Sequence, residues 1–171
     1  MSIGNFKEDL KTGKIGEEIF KKYCEKNWIP YTHHDGDEID RLKQIDFTIE
    51  VMQCETTVNV KYDEKATKNI YFQHSKIFGN DKKTSESNFF YHICPTINKI
   101  FVYKLVDIKR NWDLLKSKSL HPNGYSMQNV GQKPQEGGFA INIEVFKSII
   151  KCVQEIKLKT EYTFQEENIW K

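Results

Sequence analysis

Two neighbouring segments in the first half of the chain alternate apolar and polar residues, which is the period of a half-buried strand. In the first segment the apolar positions are Ile45, Phe47, Ile49 and Val51. The second segment covers residues 57–61, and a short polar stretch separates the two. We therefore expect a strand, a short turn and a second strand that pairs with the first.

The rest of the chain predicts further strands and helices. Strand patterns cover residues 69–73, 88–94, 99–105 and 139–143. Helical spacing of apolar residues covers 14–26, 106–116 and 145–156, after a short helical turn at 5–10 and a break at Thr12-Gly13. The polar segments 33–38, 75–87 and 121–138 are expected to be loops.

The composition is that of an ordinary soluble chain, with 38% hydrophobic and 29% charged residues. At 171 residues, a single domain spanning 1–171 is expected. No apolar run approaches the roughly 18 residues that a membrane span needs, and the N-terminal residues do not resemble a secretory signal. We therefore expect a cytoplasmic protein (in the host cytoplasm if it is viral). The four widely spaced cysteines favour reduced thiols over a structural zinc site.

The net charge of +2 neither requires nor excludes a nucleic-acid partner, because the distribution of charge matters more than its sum. Nearly all the basic residues are lysines, and Arg41 and Arg110 are the two arginines. Two polar segments carry lysines that could contact a phosphate backbone. These are Lys65, Lys68, Lys76, Lys82 and Lys83. The alternative is an ordinary solvated surface.

The predicted strand pair places an acid, an amide and a lysine close together. Asn59 and Lys61 are two positions apart and therefore share a face of their strand, and Asp46 begins the neighbouring strand. Phosphodiester-cleaving sites are often built from an acid and a lysine on neighbouring strands. The alternative is a solvent-facing strand edge without a catalytic role.

A glutamate on the first predicted helix is a second candidate acid. At roughly 100° per residue, the apolar stripe leaves Glu17 and Glu18 on its two flanks, with Glu17 slightly nearer. Such a carboxylate could reach a cleft beside the sheet, or could be a solvated glutamate that the helix dipole favours. The adjacent His33 and His34 are a weak metal candidate, because neighbouring residues on an extended chain face opposite ways.

Three short motifs, in this order and spacing, resemble the PD-(D/E)XK nuclease superfamily, particularly its Holliday-junction-resolvase-like and phage endonuclease branches. Gly13-Lys14-Ile15-Gly16-Glu17 is similar to the family's G-x-x-G-E helix start, and Ile45-Asp46 to its acidic strand. Val58-Asn59-Val60-Lys61 is similar to its hydrophobic-E-x-K strand. Asp46 precedes position 59 by 13 residues (59 minus 46), whereas Asp40 precedes it by 19 (59 minus 40), so Asp46 is preferred over Asp40.

The resemblance spans roughly residues 12 to 105 and implies a restriction-endonuclease-like α/β core, with a mixed central sheet flanked by helices. It also implies one or two Mg²⁺ (or Mn²⁺) ions, held by Asp46, Glu17 and position 59. In the family the metal activates a water molecule, and the lysine, here Lys61, positions the attacking hydroxide and offsets charge on the phosphate. Gln73 stands where phage members tend to have an acid.

Asn59 and Gln73 depart from the family pattern, since an amide oxygen can bind Mg²⁺ but brings no charge. Three outcomes fit this departure. A nearby acid could substitute (Glu50, Glu55 or Asp63), Glu17 and Asp46 could suffice for slower chemistry, or the fold could have lost its reaction.

The resemblance therefore implies a Mg²⁺-dependent DNA endonuclease, expected to act as a homodimer. The alternative is a catalytically lapsed nuclease fold that binds nucleic acid or another protein, and a third option is an enzyme that acts on RNA.

Overall fold

The fold is known from a computed structural model that describes residues 3–64, 66, 68–80, 82–120 and 138–159, with the backbone alone for residues 3–10. The helices are α1 (Ile3–Lys26), α2 (Glu38–Lys43), α3 (His74–Phe78), α4 (Leu105–Arg110), α5 (Trp112–Ser117) and α6 (Ile143–Ile149). The strands are β1 (Tyr31–His33), β2 (Phe47–Val51), β3 (Cys54–Tyr62), β4 (Asn69–Phe72), β5 (Phe89–Cys94), β6 (Lys99–Lys104), β7 (Phe139–Asn142) and β8 (Gln154–Lys157).

Six of these strands form a mixed sheet in the order β1-β2-β3-β5-β6-β8. The predicted hairpin is confirmed, because β2 and β3 pair antiparallel with Phe47 opposite Val58. β3 and β5 run parallel, with Lys61 beside His92, and the remaining neighbours are antiparallel. β4 and β7 form a separate two-stranded sheet.

Both faces of the large sheet are covered, which confirms the predicted α/β class with a mixed central sheet and flanking helices. On one face, Ile19 and Phe20 of α1 pack in one core cluster with Phe47 and Val58. A second cluster on the other face combines alternate residues of β5 and β6 with β4, β7 and the later helices. Its largest buried side chains include Phe72, Phe90, Phe101, Tyr103, Phe139 and Phe146.

Several predicted boundaries were wrong where tertiary contacts decide the local structure. α1 runs unbroken through Thr12-Gly13. The predicted loop 33–38 begins with the last residue of β1 and ends with the first residue of the unpredicted α2. Residues 75–87, predicted as a loop, contain most of α3. The predicted helix at 145–156 ends at Ile149, and β8 follows it because Gln154–Lys157 pairs with β6.

Two further sequence predictions have different outcomes. The helix predicted at 106–116 is divided into α4 and α5, whereas the loop predicted at 121–138 lies almost wholly outside the described residues. Among the described residues, no helix is both long enough and apolar enough to cross a membrane.

α1 approaches β3 closely at Gly16. A Cβ atom at this position would lie 2.8 Å from the Cβ of Tyr62 and 3.5 Å from a methyl carbon of Val60. Gly13, one helical turn earlier, has open space around it, with no atom within 4 Å of such a Cβ. The close contact therefore depends on Gly16 and brings Glu17, the next residue, near the edge of the sheet.

We predict that Gly16→Ala lowers the free energy of unfolding by about 1–3 kcal/mol, because α1 or β3 must move to admit the new methyl group. Gly13→Ala is the matched control and should be neutral or stabilising by up to about 1 kcal/mol, the gain in helix propensity. Urea unfolding monitored by circular dichroism measures both. Equal effects of the two substitutions would contradict the close packing at Gly16.

Candidate active site

Asp46 immediately precedes β2, and its carboxylate and backbone form hydrogen bonds with the backbone of β3. The Asp46 N–H donates to the carbonyl of Val58 at 2.9 Å, and the N–H of Val60 donates to Asp46 Oδ2 at 2.5 Å. Continuing the β2–β3 register by one pair places Asp46 opposite Asn59. The predicted convergence of an acid and an amide at this edge is therefore present.

Burial raises the pKa of the Asp46 carboxyl to about 7. The hydrogen bond from Val60 and the charge of Lys76 favour the ionised form, whereas the negative charges of Glu17 and Asp40 oppose it. Removal from water is therefore the main reason that this carboxyl group holds its proton near neutral pH. Glu17 from α1 and Lys76 from α3 both lie close enough to influence it.

Glu17 is positioned by a histidine of the neighbouring strand. Glu17 Oε2 and His33 Nε2 are 2.8 Å apart, and the His33 ring stacks on Phe47 with centroids 4.5 Å apart. Glu18, the alternative acid, instead pairs with Lys21. Glu17 is thus held by His33, and its charge acts on Asp46. The sequence analysis missed His33 as its partner, because the contact joins residues that are distant along the chain.

The two adjacent histidines face opposite ways, as expected for neighbouring residues of an extended chain. His34 Nδ1 lies 2.8 Å from Asp37 Oδ2, and its Nε2 lies 2.9 Å from Thr48 Oγ1. Asp40, the competitor to Asp46, lies on α2, where its Oδ2 accepts the Gly36 N–H at 3.0 Å. Its charge nevertheless reaches Asp46.

Asn59 uses its amide as a hydrogen-bond donor. Its side chain is only 5% exposed, and Nδ2 donates to the carbonyl of Gln44 at 2.9 Å. Gln44 Nε2 in turn donates to the carbonyl of Ser75 on α3 at 3.0 Å. Gln44 Oε1 is a buried acceptor without a hydrogen-bond partner in the described part of the chain. A carboxylate at position 59 could not donate to Gln44, so the amide has a structural role here.

Lys61 lies two residues beyond Asn59 on the same strand face, and its ammonium turns towards the second sheet. Nζ donates to the carbonyl of Tyr71 and lies 5.1 Å from the centroid of the Tyr71 ring. Burial lowers the pKa of Lys61 to about 8, Asp63 and Cys94 oppose this shift, and Lys76 adds to it. Lys61 is therefore a partly desolvated lysine at the end of β3.

A buried polar group lies beside Lys61. His92, its neighbour across the parallel β3–β5 pair, is fully buried. His92 Nε2 lies 3.6 Å from Asp63 Oδ2, and His92 Nδ1 lies 3.3 Å from the Tyr103 hydroxyl. Burial lowers the pKa of His92 to about 4.

Gln73 lies between two anchored segments at the end of β4. The carbonyl of Tyr71, two residues before it, accepts a hydrogen bond from the Lys61 ammonium. The carbonyl of Ser75, two residues after it, accepts one from the Gln44 side chain. The backbone of Gln73 thus lies beside the site, where its carbonyl accepts the N–H groups of Lys76 and Ile77.

The predicted phosphate-contacting lysines divide into three groups. Lys76 lies at the site, since its charge acts on both Asp46 and Lys61. Lys68, Lys82 and Lys83 are exposed. Lys65 lies outside the described residues.

The donor groups fit Mg²⁺ as a site with few protein ligands. Within the described ranges, no group of three or more His, Cys, Asp or Glu side chains is placed to hold a metal ion. Mg²⁺ is commonly bound by one or two carboxylates together with water and substrate phosphates. Asp46 and Glu17 are the two candidate carboxylates, and the charge of Glu17 acts on Asp46.

Among the acids considered as substitutes for position 59, two are remote from the site. Glu50 and Glu55 lie opposite each other in the β2–β3 register next to the turn, at the opposite end of β3 from Lys61. Asp63 is close to Lys61 and His92.

Comparison with solved structures finds a similarity to the bacterial homing endonuclease I-Ssp6803I, with 16% sequence identity and a TM-score of 0.42. The alignment covers 56% of this chain and 64% of that protein, so the chain matches less than two thirds of its length. No protein-family model matches the sequence. A search of curated proteins finds no match either.

We predict that Asn59→Asp lowers the free energy of unfolding by about 1–3 kcal/mol at pH 7.5, because it removes the donor to Gln44 and sets a carboxylate against a carbonyl oxygen. Asn69→Asp, at a partly exposed position on β4, is the matched control and should change stability by less than about 0.5 kcal/mol. Urea unfolding provides the comparison. A fully stable Asn59→Asp protein would show that this hydrogen bond is dispensable.

We also predict that His92 makes the fold sensitive to acid. Its pKa is lowered from 6.5 to about 4, so between these values the unfolded chain binds more protons and the free energy of unfolding falls with falling pH. Asp46 has the opposite effect on the free energy of unfolding. Because its pKa is raised, the folded chain binds more protons than the unfolded chain, and this contribution increases as the pH falls. Since Asp46 is present in both proteins, a comparison of wild type with His92→Gln isolates the contribution of His92.

Urea unfolding between pH 7 and pH 4.5 should show a weaker loss of stability in His92→Gln than in wild type. His74→Gln, at an exposed position on α3, should retain the wild-type slope. Identical slopes for wild type and His92→Gln would mean that the native protein protonates His92 as readily as the unfolded chain does.

Proposed function

We propose that this protein is a Mg²⁺-dependent DNA endonuclease that hydrolyses phosphodiester bonds at the edge of the sheet formed by β2 and β3. The observation that carries the proposal is the position of Asp46. Its carboxylate accepts a hydrogen bond from the Val60 N–H, lies opposite Asn59 and is subject to the charge of Glu17 on α1. Lys61 extends from the same strand face as Asn59.

The electrostatics of the site favour a bound divalent cation. Burial and the nearby Glu17 both oppose ionisation of Asp46. A cation next to these carboxylates would offset both effects, so Asp46 and Glu17 are the residues proposed to hold Mg²⁺ or Mn²⁺, with the side-chain oxygen of Asn59 as a neutral ligand. When bound, the ion would lower the pKa of a water molecule and offset negative charge on the phosphate.

The two lysines of the site have distinct proposed roles. As the water oxygen bonds to phosphorus and the bond to one ester oxygen breaks, negative charge develops on the phosphoryl oxygens. The ammonium of Lys61 would stabilise this charge. Lys76, exposed on α3, would contact a phosphate of the bound strand, and Lys68, Lys82 and Lys83 would extend this contact along the backbone.

The departures at positions 59 and 73 are compatible with this proposal. Asn59 retains a side-chain oxygen while its nitrogen holds Gln44. The same hydrogen bond also supports the alternative of a lapsed nuclease fold that still binds nucleic acid, because the residue that would otherwise be an acid is used to support the structure. Cleavage assays separate the two proposals.

We predict that the wild-type protein cleaves supercoiled plasmid, single-stranded DNA or a four-way junction in the presence of Mg²⁺ or Mn²⁺, and that EDTA abolishes cleavage. Asp46→Asn and Lys61→Met should each lower the rate by roughly 100-fold or more, because each removes a charge that acts directly on the reacting phosphate or its cation. Gel electrophoresis of each substrate over time measures the rates.

Two matched controls test whether the loss is specific. Glu18→Gln removes the neighbouring glutamate, which pairs with Lys21, and Lys151→Met removes an exposed lysine of the turn that follows α6, which has no proposed role. Both should retain cleavage within a few-fold of wild type. Cleavage by Asp46→Asn at the wild-type rate would contradict the proposed site. Binding without cleavage by the wild-type protein would favour the lapsed nuclease.

A further inference from the structure

We propose that His74 and Phe78 of α3 form a stacking platform for an unpaired nucleobase beside the candidate active site. The inference rests on the proposed function and deepens it, because it names the feature of the substrate that is recognised. That feature is a single-stranded stretch of DNA, whose bases are free to stack on a protein side chain. The proposal is carried by an exposed pair of stacked rings and by the lysines that surround it.

The two rings lie one helical turn apart on α3 and stack on each other. Their centroids are 4.7 Å apart, and the ring planes are inclined by 26°. Both side chains are exposed, with 39% of Phe78 open to solvent. Exposed aromatic side chains of this kind are the surfaces on which proteins stack the bases of single strands.

A buried tryptophan holds the two rings in place. The Trp112 ring is nearly perpendicular to both, at 81° to His74 and 90° to Phe78, with centroid distances of 5.6 Å and 5.2 Å. Trp112 packs in turn on Phe139 of the core, with centroids 4.7 Å apart. The rings are therefore held before any ligand arrives, so a base that stacks on them loses little affinity to the ordering of side chains.

Hydrogen bonds anchor the platform to the candidate active site. The carbonyl of Ser75, the residue after His74, accepts from the Gln44 side chain at 3.0 Å, and the Gln44 carbonyl accepts from Asn59 at 2.9 Å. The charge of Lys76, the next residue on α3, reaches the candidate catalytic acid. Since α3 extends over only about 7.5 Å at 1.5 Å per residue, a base stacked here belongs to a nucleotide close to the bond that is cut.

The segment around the platform is basic, which favours a nucleic acid as the partner. Residues 73–85 contain three lysines against a single acidic residue, Asp81. Two of these lysines follow α3 in a turn where Asn80 Oδ1 accepts the backbone N–H groups of Lys82 and Lys83, each at 3.0 Å. Both lysine side chains are exposed and available to phosphate groups.

The chain that carries these lysines runs back along α3. Gly79 ends the helix with a φ of +82°, and a Cβ atom at this position would overlap the carbonyl of Lys83. Further on, Ser85 Oγ donates to the carbonyl of Lys76 at 2.7 Å. The lysines and the two rings consequently share one small surface, where a single strand could place a phosphate and a base at the same time.

The competing explanation is that the two rings only shield Trp112 from water. Such a role would affect stability and would not distinguish a strand with bases from one without them. Duplex DNA fits the platform less well, because its bases already stack on one another and must be unstacked at a cost before they can contact a protein ring. Binding measurements therefore separate the three cases.

The test compares two single strands of equal length that differ only in their bases. One is a DNA strand of mixed sequence, and the other has an abasic sugar at every position but the same phosphates. Fluorescence anisotropy in EDTA measures binding without cleavage of either strand. Wild type should bind the strand with bases roughly 5- to 100-fold more tightly, the range expected for stacking of one or two bases.

Phe78→Leu retains an apolar side chain over Trp112 but removes the ring. It should lower affinity for the strand with bases roughly fivefold or more and leave affinity for the abasic strand unchanged. Phe78→Tyr retains the ring and should bind both strands as wild type does. Met52→Ala is the matched control, because it truncates an exposed apolar side chain at the distant β2–β3 turn, and it should also behave as wild type.

Lys82→Met separates the effect of charge from the effect of stacking. It should weaken binding of both strands equally and lower the dependence of log affinity on log salt concentration by roughly 0.7. An RNA strand of the same sequence identifies the sugar. Tighter binding of RNA than of DNA would support the stacking site and contradict DNA as the substrate.

Equal affinity of wild type for the two strands would overturn the platform, and so would a folded Phe78→Leu protein with wild-type affinity for the strand with bases. Should Phe78→Leu fail to fold, His74→Gln provides the decision, because it removes the other ring and should weaken binding of the same strand alone. Base-dependent binding without cleavage would support the platform and contradict the proposed nuclease. Cleavage together with equal binding of the two strands would have the opposite meaning.

Discussion

The pairing register of β2 and β3 is the constraint on which the rest of the structure depends. Phe47 opposite Val58 directs both side chains towards α1, and the next pair places Asp46 opposite Asn59 on the other face. A shift of one residue would exchange the two faces and bury polar groups under α1. The hydrogen bond from Val60 to the Asp46 carboxylate fits this register and ties the candidate catalytic acid to the same strand pair that organises the core.

From this pair of strands, hydrogen bonds extend to elements that are distant in the sequence. The Asn59 side chain donates to the carbonyl of Gln44, and the Gln44 side chain donates to the carbonyl of Ser75. Ser75 lies on α3, the helix that also contains Lys76. The Lys61 ammonium donates to the carbonyl of Tyr71 on β4, so this hydrogen bond joins the small sheet to the large one beside the candidate site. An amide at position 59 therefore gives up a negative charge and gains a donor, and the donor helps to fix the surroundings of the site.

The sequence predicted the strands of this arrangement whose apolar and polar residues alternate, but it did not predict the contacts between distant segments. The two-residue period from Ile45 to Lys61 predicted the hairpin and the position of Asp46 beside Asn59, and the structure contains both. Lys61 shares the strand face of Asn59, but its ammonium donates to the carbonyl of Tyr71. The contact between Glu17 and His33 could not be read from the sequence, because it requires α1 to cross the sheet at the close approach of Gly16. β8 was missed because the apolar residues just before it have helical spacing, which extended the predicted helix to residue 156. The pairing of β8 with β6 outweighs that local preference.

The two principal groups of the site are shifted in opposite directions by the same physical cause. Burial raises the pKa of Asp46 to about 7 and lowers that of Lys61 to about 8, so burial disfavours the charged form of each group. A cation beside Asp46 and a phosphate beside Lys61 would each restore one charge. Because substrate phosphate also binds such a cation, either ligand should favour the other, which links the buried charges of the free protein to the binding of its proposed substrate.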